Sequence, residues 1–449
     1  MQQKKMNKEE VLFRLEDKGY KSYLVGGFVR DKLMGKPPSD VDIATKACPD
    51  EIKEVFKDYK TLDVGKAFGT IKLVTDDRDY EITTFRKDFS YKDKRRPGSV
   101  IFADTIEEDL KRRDFTINAM ALSKDELIDP YGGQADLEAK IIRAVGNPYE
   151  RINEDYLRAL RAVRFAANLG FEIENDLKEA IRSKVKNLAY ISVERQTVEI
   201  DKILLGSDPA RGLRLLDETG LLGEIFPEVK AMVGFDQHSP HHYLDCFDHT
   251  LKVLEGTPLD LTIRIAALFH DTGKPSTFFL DENGDGRFFG HQKVSKDLAE
   301  KRLRYLKYSK KLIEDVGVLI GRHMDSSNPY TEKSVARLLR RIGEENLKRL
   351  FDLQEADILA TVHDDISNID KGRNLLKEIL EKKPVLSRKD LAINGRDLTK
   401  IGFDEGPDIG IILGEIEREV FDGTLLNDRQ TLLNEARIIG SKLDSKAYE

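Results

Sequence analysis

The chain has no tryptophan, only two cysteines in 449 residues, and no apolar run of bilayer-spanning length. Without about 20 consecutive apolar residues, no helix of this chain is expected to cross a membrane. Cys48 and Cys246 show neither the pairing of a disulfide framework nor the spacing of a zinc site, which fits a reduced, cytoplasmic setting. The opening residues Met1-Gln-Gln-Lys-Lys lead into an amphipathic stretch, unlike the apolar centre of a secretory signal. There is no repeat of fixed period and no low-complexity tract. Aromatics are scarce at 8% while charged side chains reach 35%, the balance of a soluble and strongly helical chain. The length suits two to four domains with a substantial core.

Excess positive charge is also lacking. The net charge of -7, taken alone, argues against a nucleic-acid partner. Its distribution argues otherwise. Between Lys301 and Arg349, thirteen Lys and Arg stand against six Asp and Glu, and Lys92, Lys94, Arg95 and Arg96 form a second basic cluster. Such runs are ordinarily solvated helix faces. A locally basic surface can still engage a phosphate backbone on an acidic protein.

What is present begins with Tyr23-Leu-Val-Gly-Gly-Phe-Val-Arg30-Asp31 and Ser39-Asp40-Val-Asp42-Ile43. Ser22 to Val25 reads as a strand, Gly26-Gly27 as a turn, and Phe28 to Leu33 as a helix. The glycines let backbone N–H groups approach a phosphate. Asp40 and Asp42 lie two apart in a β-type run, so alternation puts both carboxylates on one face and Val41 and Ile43 inward. Adjacent carboxylates repel unless a cation lies between them, and Mg2+ takes one or two carboxylates together with substrate phosphates. Around this stretch, Asn7 caps a helix ending near Gly19, and Pro49 opens another to about Lys57. Thr70 to Val74 and Tyr80 to Phe85 read as strands, followed by a polar, mobile loop from Arg86 to Gly98. A strand at Val100 to Phe102 and a Thr105-capped helix to Leu110 come next. Glu81 is either a further carboxylate near the metal or a surface strand residue. From Asn147 onward β signals vanish, and Ile152 to Leu169, Leu177 to Leu188, Val193 to Leu205 and Pro209 to Leu221 all read as helices. His242 to about His363 is again helical, interrupted at Asp281 to Gly286. In the tail, Gly406-Pro407-Asp408-Ile-Gly410 reads as a plain turn rather than a helix start.

In Arg112-Arg113-Asp114-Phe115-Thr116-Ile117-Asn118, Arg113 and Asn118 are suited to phosphate or ribose oxygens. In Glu154-Asp155-Tyr-Leu-Arg158-Ala-Leu-Arg161-Ala-Val-Arg164, Asp155, Arg158 and Arg161 would share one helix face. An Asp acceptor beside an Arg donor matches cytosine, with its N4 amino group and N3 acceptor, and adenine, with its N6 amino group and N1 acceptor. Uracil and guanine reverse both groups. One rigid side-chain pair can therefore choose C and A without a template strand.

These phrases, in this order, resemble the tRNA CCA-adding enzyme and bacterial poly(A) polymerase superfamily, over Tyr23 to about Leu205. The resemblance implies an α+β chain: a mixed-sheet nucleotidyltransferase head at 1–147, a helical neck at 148–235, an HD domain at 236–365 and a helical, tRNA-binding tail at 366–449. It implies transfer of CTP and ATP units to tRNA 3′ ends, with Asp40 and Asp42 holding Mg2+. Gly26, Gly27, Arg30, Arg113 and Asn118 would hold triphosphate and ribose, and Asp155 and Arg158 would read the base. Arg161 and Arg164 would support that site, and Ser192-Val-Glu194-Arg195 through Glu199 would brace it. The loop Arg86 to Pro97 matches the family's flexible loop, which implies that A as well as C is added. No obligate protein partner and no membrane are implied.

A second resemblance is to the HD phosphohydrolases. His249, His270, Asp271 and Asp357 occupy the His, His-Asp and distant Asp positions, and His291 and His323 stand as additional ligands or phosphate contacts. Imidazole with carboxylate suits Mn2+ or Ni2+, with Mg2+ a further choice, for activating water against a phosphate. The competing readings are a degenerate helical domain, a poly(A) polymerase, an enzyme adding only the terminal A, and a hydrolase with a nucleotide-sensing head.

Overall fold

The computed structural model describes residues 5–38, 40–65, 69–91, 97–124, 126–239, 243–362, 364–381, 388–421 and 424–446. It opens with α1 (Lys8–Asp17), whose cap residue Asn7 accepts the amide of Glu10 and whose Val11, Leu12 and Leu15 turn inward. β1 (Ser22–Val25), α2 (Gly27–Leu33), β2 (Asp42–Thr45) and α3 (Pro49–Val55) follow. β3 (Lys60–Gly65), β4 (Thr70–Val74) and β5 (Asp79–Thr84) extend the sheet. β8 (Ala121–Leu122) and β9 (Leu127–Ile128) complete it on the other side. Its order is β3-β4-β5-β2-β1-β8-β9. β2 and β5 run parallel, whereas the other neighbours are antiparallel. The parallel register sets Asp42 beside Glu81, while the next pair, Ile43 and Ile82, is buried. Alternation thus puts two carboxylates side by side above an apolar layer.

A separate hairpin of β6 (Arg86–Tyr91) and β7 (Pro97–Phe102) replaces the loop expected over Arg86 to Gly98. Polar strands with no apolar alternation escape a reading based on periodicity, because ladder hydrogen bonds do not need it. The basic cluster at 92–96 lies outside the described residues. Next come α4 (Ile106–Lys111), capped by Thr105 as expected, and α5 (Gly133–Ala139), which packs on the short 3-10 turn Thr116–Asn118.

The neck contains α6 (Pro148–Glu154), α7 (Leu157–Leu169), α8 (Asn175–Ser183), α9 (Val193–Leu204), α10 (Pro209–Glu218), α11 (Leu221–Ile225) and α12 (Pro227–Lys230). The single helix expected over Ile152 to Leu169 is two helices. Asp155 is extended (φ -147°, ψ 104°), and its carboxylate accepts the amide of Leu157. An aspartate competes with the helix for that amide and wins here. Strands also persist past Asn147, as the parallel pair β10 (Ile141–Ile142) and β11 (Glu172–Ile173).

The third helical region holds α13 (Cys246–Glu255), α14 (Leu261–Phe269), α15 (Lys274–Thr277), α16 (His291–Tyr305), α17 (Lys310–Arg322), α18 (Glu332–Leu359, kinked at Gly343) and α19 (Ser367–Glu381). A small hairpin, β12 (Phe279–Leu280) with β13 (Gly286–Arg287), flanks the expected turn at Asp281 to Gly286. The basic stretch from Lys301 to Arg349 is largely ion-paired, as in Arg302–Glu228, Lys307–Glu194 and Arg349–Asp260. In the tail, α20 (Gly395–Lys400), α21 (Pro407–Phe421) and α22 (Arg429–Lys446) enclose a small core of their own, centred on Leu398, Ile412, Ile416 and Leu432. The expected plain turn at Gly406-Pro407 is the start of α21, where proline is compatible with a first helical turn.

Gly133 tests how tightly the head is packed. A Cβ there would lie 2.3 Å from the Thr116 carbonyl oxygen and 2.9 Å from Met120 Cγ. Gly133→Ala is expected to destabilise the head by about 1–3 kcal/mol through overpacking, read as a lower thermal midpoint. An unchanged midpoint would contradict this contact.

Candidate functional site

Three carboxylates gather at the edge of the parallel strand pair. Asp40 and Asp42 flank buried Val41, and Glu81 sits in register with Asp42. Burial raises the Asp42 pKa and the Glu81 charge raises it further, against the opposing effect of Arg113. A divalent cation removes that repulsion, so the donor set fits a hard metal. Gly26 makes the approach possible. It caps α2 with φ +66°, and a Cβ at its position would stand 3.0 Å from Arg113 Nη1 and 3.7 Å from Asp42 Oδ2.

The Arg112-to-Asn118 phrase acts as a scaffold. Buried Asp109 accepts from Arg112 at 2.9 Å and from Arg113 at 3.1 Å, aiming both guanidiniums. Asp114 accepts from Arg161 Nη2 at 2.5 Å and Nε at 2.7 Å on one oxygen, and from Asn118 Nδ2 and the Phe115 amide on the other. Asn118 in turn accepts from Arg30 at 2.9 Å. This relay joins α2, the 3-10 turn and α7. Burial opposes ionisation of Asp114, but Arg161 outweighs it and holds the pKa at about 2.

Asp155 does not share a helix face with Arg158 and Arg161, as the three-residue spacing had suggested. It projects from the break between α6 and α7, where its free oxygen accepts from Arg195 of α9 at 2.7 Å. Arg158, on α7, donates to Glu154 and to the carbonyls of Arg151 and Arg112. Arg164 pairs with Glu199 at 3.1 Å. Despite the altered geometry, Asp155, Arg158, Arg161, Arg164 and Arg195 line the same cleft as Gly26, Gly27, Arg30, Asp40, Asp42, Glu81, Arg113 and Asn118. Its volume is about 970 Å3, and eight arginines face six carboxylates across it. Such a cleft can hold a polyanion, with divalent cations at the carboxylate edge. Sequence reasoning missed Phe165, whose ring lies within 5.5 Å of three guanidiniums (Arg30, Arg161 and Arg164). Its only signal was a place one residue beyond Arg164. It also gave no role to Asp109, Asp114 or Arg112.

A second centre lies among α13, α14, α16, α17 and α18. His249 Nε2 is 3.1 Å from Asp357 and 3.6 Å from Asp271, and His270 Nε2 is 3.2 Å from Asp271. His291 Nε2 is 3.3 Å from the other Asp271 oxygen. The four expected ligands thus converge, joined by His291 and His323. Two triads, His249-His270-Asp271 and Asp271-His291-His323, are each spaced to hold one ion and share Asp271. Nδ1 of His270, His291 and His323 bonds the carbonyl of Ala267, Phe288 and Ile320 respectively, at 2.7 to 2.9 Å. A carbonyl only accepts, so each Nδ1 carries a proton, and Nε2 of a neutral ring is then bare, whereas, against the opposing effect of burial, Asp271 holds His270 protonated with a pKa raised to about 9. Nε2 of His291 and of His323 nevertheless approach to 3.2 Å. Only a proton or a metal ion between them relieves that approach. Burial, then the charge of His270, pushes His323 down to about 4, so it stays neutral. Burial opposes the charge of Asp271, yet His270 and Lys274 hold its pKa well below the ordinary value. Lys274 bonds it at 2.7 Å and also donates to Gln237. Asp271, Asp357, His291 and His323 face a cavity of about 430 Å3. The donor set of imidazoles and carboxylates fits Mn2+ or Ni2+.

Comparison with known proteins gives three family matches: "Poly A polymerase head domain" at residues 22–143, "Probable RNA and SrmB- binding site of polymerase A" at 170–233, and "tRNA nucleotidyltransferase domain 2 putative" at 288–436. The chain is 36% identical to the CCA-adding enzyme of Levilactobacillus brevis over 94% of its own length and 95% of the relative's. It is also 36% identical to that of Enterococcus faecalis, over 96% and 95%. The solved structure of the Bacillus stearothermophilus CCA-adding enzyme in complex with CTP is similar, with 30% identity, a TM-score of 0.69, and coverage of 98% of this chain and 100% of that one.

The Asp114 relay has a pH signature. A carboxylate with an ordinary pKa of 3.8 lowered to about 2 on folding contributes stability in full above the ordinary value. It loses that contribution as pH falls through the folded value, an effect of about 2 kcal/mol. The stability gap between wild type and Asp114→Asn, from denaturant midpoints, is expected to narrow as pH drops from 5 toward about 2. A gap independent of pH would contradict the ion pair.

Proposed function

Because this chain belongs to the family of CCA-adding enzymes, we infer that its large cleft extends tRNA 3′ ends with C, C and A, drawn from CTP and ATP. It is a nucleotidyltransferase. The tRNA 3′ oxygen bonds the α-phosphorus, the α–β anhydride bond breaks, and pyrophosphate leaves. Asp40 and Asp42 are suited to Mg2+, which when bound lowers the pKa of the hydroxyl and neutralises the leaving group. Gly26, Gly27, Arg30, Arg113 and Asn118 take the triphosphate and ribose. The Asp114 relay holds Arg30 and Asn118 steady, and Asp109 does the same for Arg113. Asp155 accepts from the amino group of cytosine or adenine while Arg158 donates to the ring nitrogen. Arg195 and Glu154 hold these two side chains, and Arg161 and Arg164 complete the wall. Glu81 acts as a third carboxylate. The observation that carries this reading is the convergence of all these groups, from head and neck, on one arginine-rich cleft. The units are a head at 1–147, a neck at 148–235, a metal-binding helical domain at 236–365 and a tRNA-contacting tail at 366–449. The setting is cytoplasmic, in keeping with the tRNA substrate. No described helix is long and apolar enough to cross a membrane.

The histidine centre carries a second reading, a metal-dependent phosphohydrolase of the HD type. Its support is the pair of bare nitrogens held 3.2 Å apart beside a shared, ionised carboxylate. His249, His270 and Asp271 are suited to one ion, and Asp271, His291 and His323 to another, with Asp357 beside the first. Bound Mn2+ or Ni2+ supplies a water activated toward phosphorus. The second triad faces the cavity and so meets the substrate.

Two experiments test these readings. With tRNA lacking its 3′ end and labelled CTP, ATP or UTP, CTP and then ATP should be incorporated, followed by a stop. A long A tail on any RNA would instead identify a poly(A) polymerase, and A added only to tRNA ending in CC an A-adding enzyme. Asp155→Ala and Arg158→Ala should each weaken discrimination against UTP by about 10- to 100-fold. Unchanged discrimination would overturn the base-reading roles. For the second centre, about two Mn2+ per chain are expected by metal analysis after dialysis, and about one in His323→Ala. No retained metal in the wild type would overturn that reading.

A further inference from the structure

The neck helix α9 is gripped on two sides. Glu194, Thr197 and Asp201 are spaced three and four apart, so they share one face. At roughly 3.6 residues per turn, Arg195 and Glu199 fall close to the opposite side. That second side serves the large cleft, since Arg195 holds Asp155 and Glu199 holds Arg164. Apolar packing through Ile200 and Ile203 sets how deep α9 sits, but such packing has no direction. Hydrogen bonds do have direction, and they fix the helix in rotation and along its axis.

The first face is held by the end of α16 and the turn after it. The Leu306 carbonyl accepts from the Thr197 hydroxyl at 2.8 Å, Lys307 pairs with Glu194, and the Tyr308 hydroxyl donates to Asp201 at 2.5 Å. This turn is built against local preference. Lys307 has φ +60°, a left-handed conformation that a residue with a side chain seldom adopts. Its amide bonds the Arg304 carbonyl and the Tyr308 amide bonds that of Leu303, the pairing that ordinarily closes a helix on glycine. A glycine there would close α16 without strain, but it could not reach Glu194. Burial raises the Asp201 pKa, and the Tyr308 hydroxyl opposes that rise. At the far end of α9, buried Arg264 of α14 donates to the carbonyls of Leu204 and Gly206.

We propose that Tyr308 is a positioning residue for base choice in the large cleft, acting through α9 and Arg195 on Asp155. This rests on the base-reading role of Asp155 given above. Tyr308 does not line the cleft and touches no substrate. Without its hydroxyl, Asp201 turns toward water, and α9 loses a bond that sets its rotation. Arg195 then no longer holds Asp155 to one position. A carboxylate free to move accepts less well from the amino group of cytosine or adenine, so the margin over UTP narrows. A side chain of the helical domain at 236–365 thus enters the selectivity of a cleft built by the head and neck.

The test uses the full chain with tRNA lacking its 3′ end, and reads kcat/KM for CTP divided by kcat/KM for UTP. That ratio does not depend on how much of a variant is folded. Tyr308→Phe is expected to lower it about 2- to 10-fold, the worth of one hydrogen bond, and Asp201→Ala by a similar factor. Asp201→Asn, whose amide oxygen still accepts from the hydroxyl, is expected to keep the wild-type ratio. In an Arg195→Ala background, Tyr308→Phe is expected to change nothing further, because the route to Asp155 is already cut. Additive effects of those two substitutions overturn that route. A wild-type ratio in Tyr308→Phe, with the ratio lowered in Asp155→Ala, overturns the inference and leaves the base-reading role standing. A wild-type ratio in Asp155→Ala overturns that role, and the inference with it.

Discussion

Asp114 is buried, ionised, and committed on both oxygens: Arg161 on one side, Asn118 and the Phe115 amide on the other. Through Asn118 its grip extends to Arg30 in α2. A single carboxylate therefore ties the neck helix that carries Arg158 and Arg164 to α2 of the head, next to the turn at Gly26. An unpaired buried charge is costly, so neither side can drift without leaving Asp114 or Arg161 exposed to that penalty. The cleft keeps its width because its two walls share this ion pair.

The cleft otherwise gathers acidic groups on one side and basic groups on the other. Asp40, Asp42 and Glu81 crowd one edge, while Arg30, Arg161 and Arg164 surround Phe165 on the other. A ligand carrying triphosphate and divalent cations neutralises both edges at once. The Phe165 ring suits this arrangement, since its face attracts guanidiniums without adding charge. Preorganised groups of this kind need little rearrangement when substrate arrives.

Much of this was legible in the sequence, for identifiable reasons. β1 and β4 have the bounds that their composition suggested, and the caps at Asn7 and Thr105 act as their side chains predict. Asp40, Asp42, Arg30, Arg113 and Asn118 stand in short phrases whose spacing is itself the information. Asp155 was misplaced because the apolar periodicity of Ile152, Leu157 and Leu160 runs through the break, and nothing local reveals that Arg195 pulls the carboxylate outward. The pattern of Arg86–Tyr91 suggests a loop, and its pairing partner, not that pattern, makes it a strand. His291 and His323 were visible as candidates. Their proton positions were not, since those follow from which backbone carbonyls the fold sets against each ring.

The facing nitrogens of His291 and His323 also bear on how the chain lives in a cell. That approach is relieved by a proton or by a cation, and any ion that binds only the folded form there would add RT ln(1 + [ion]/Kd) to its stability. The lifetime of the whole polypeptide, and with it the supply of mature tRNA, would then follow the trace-metal pool. Starvation for one element would be felt in translation.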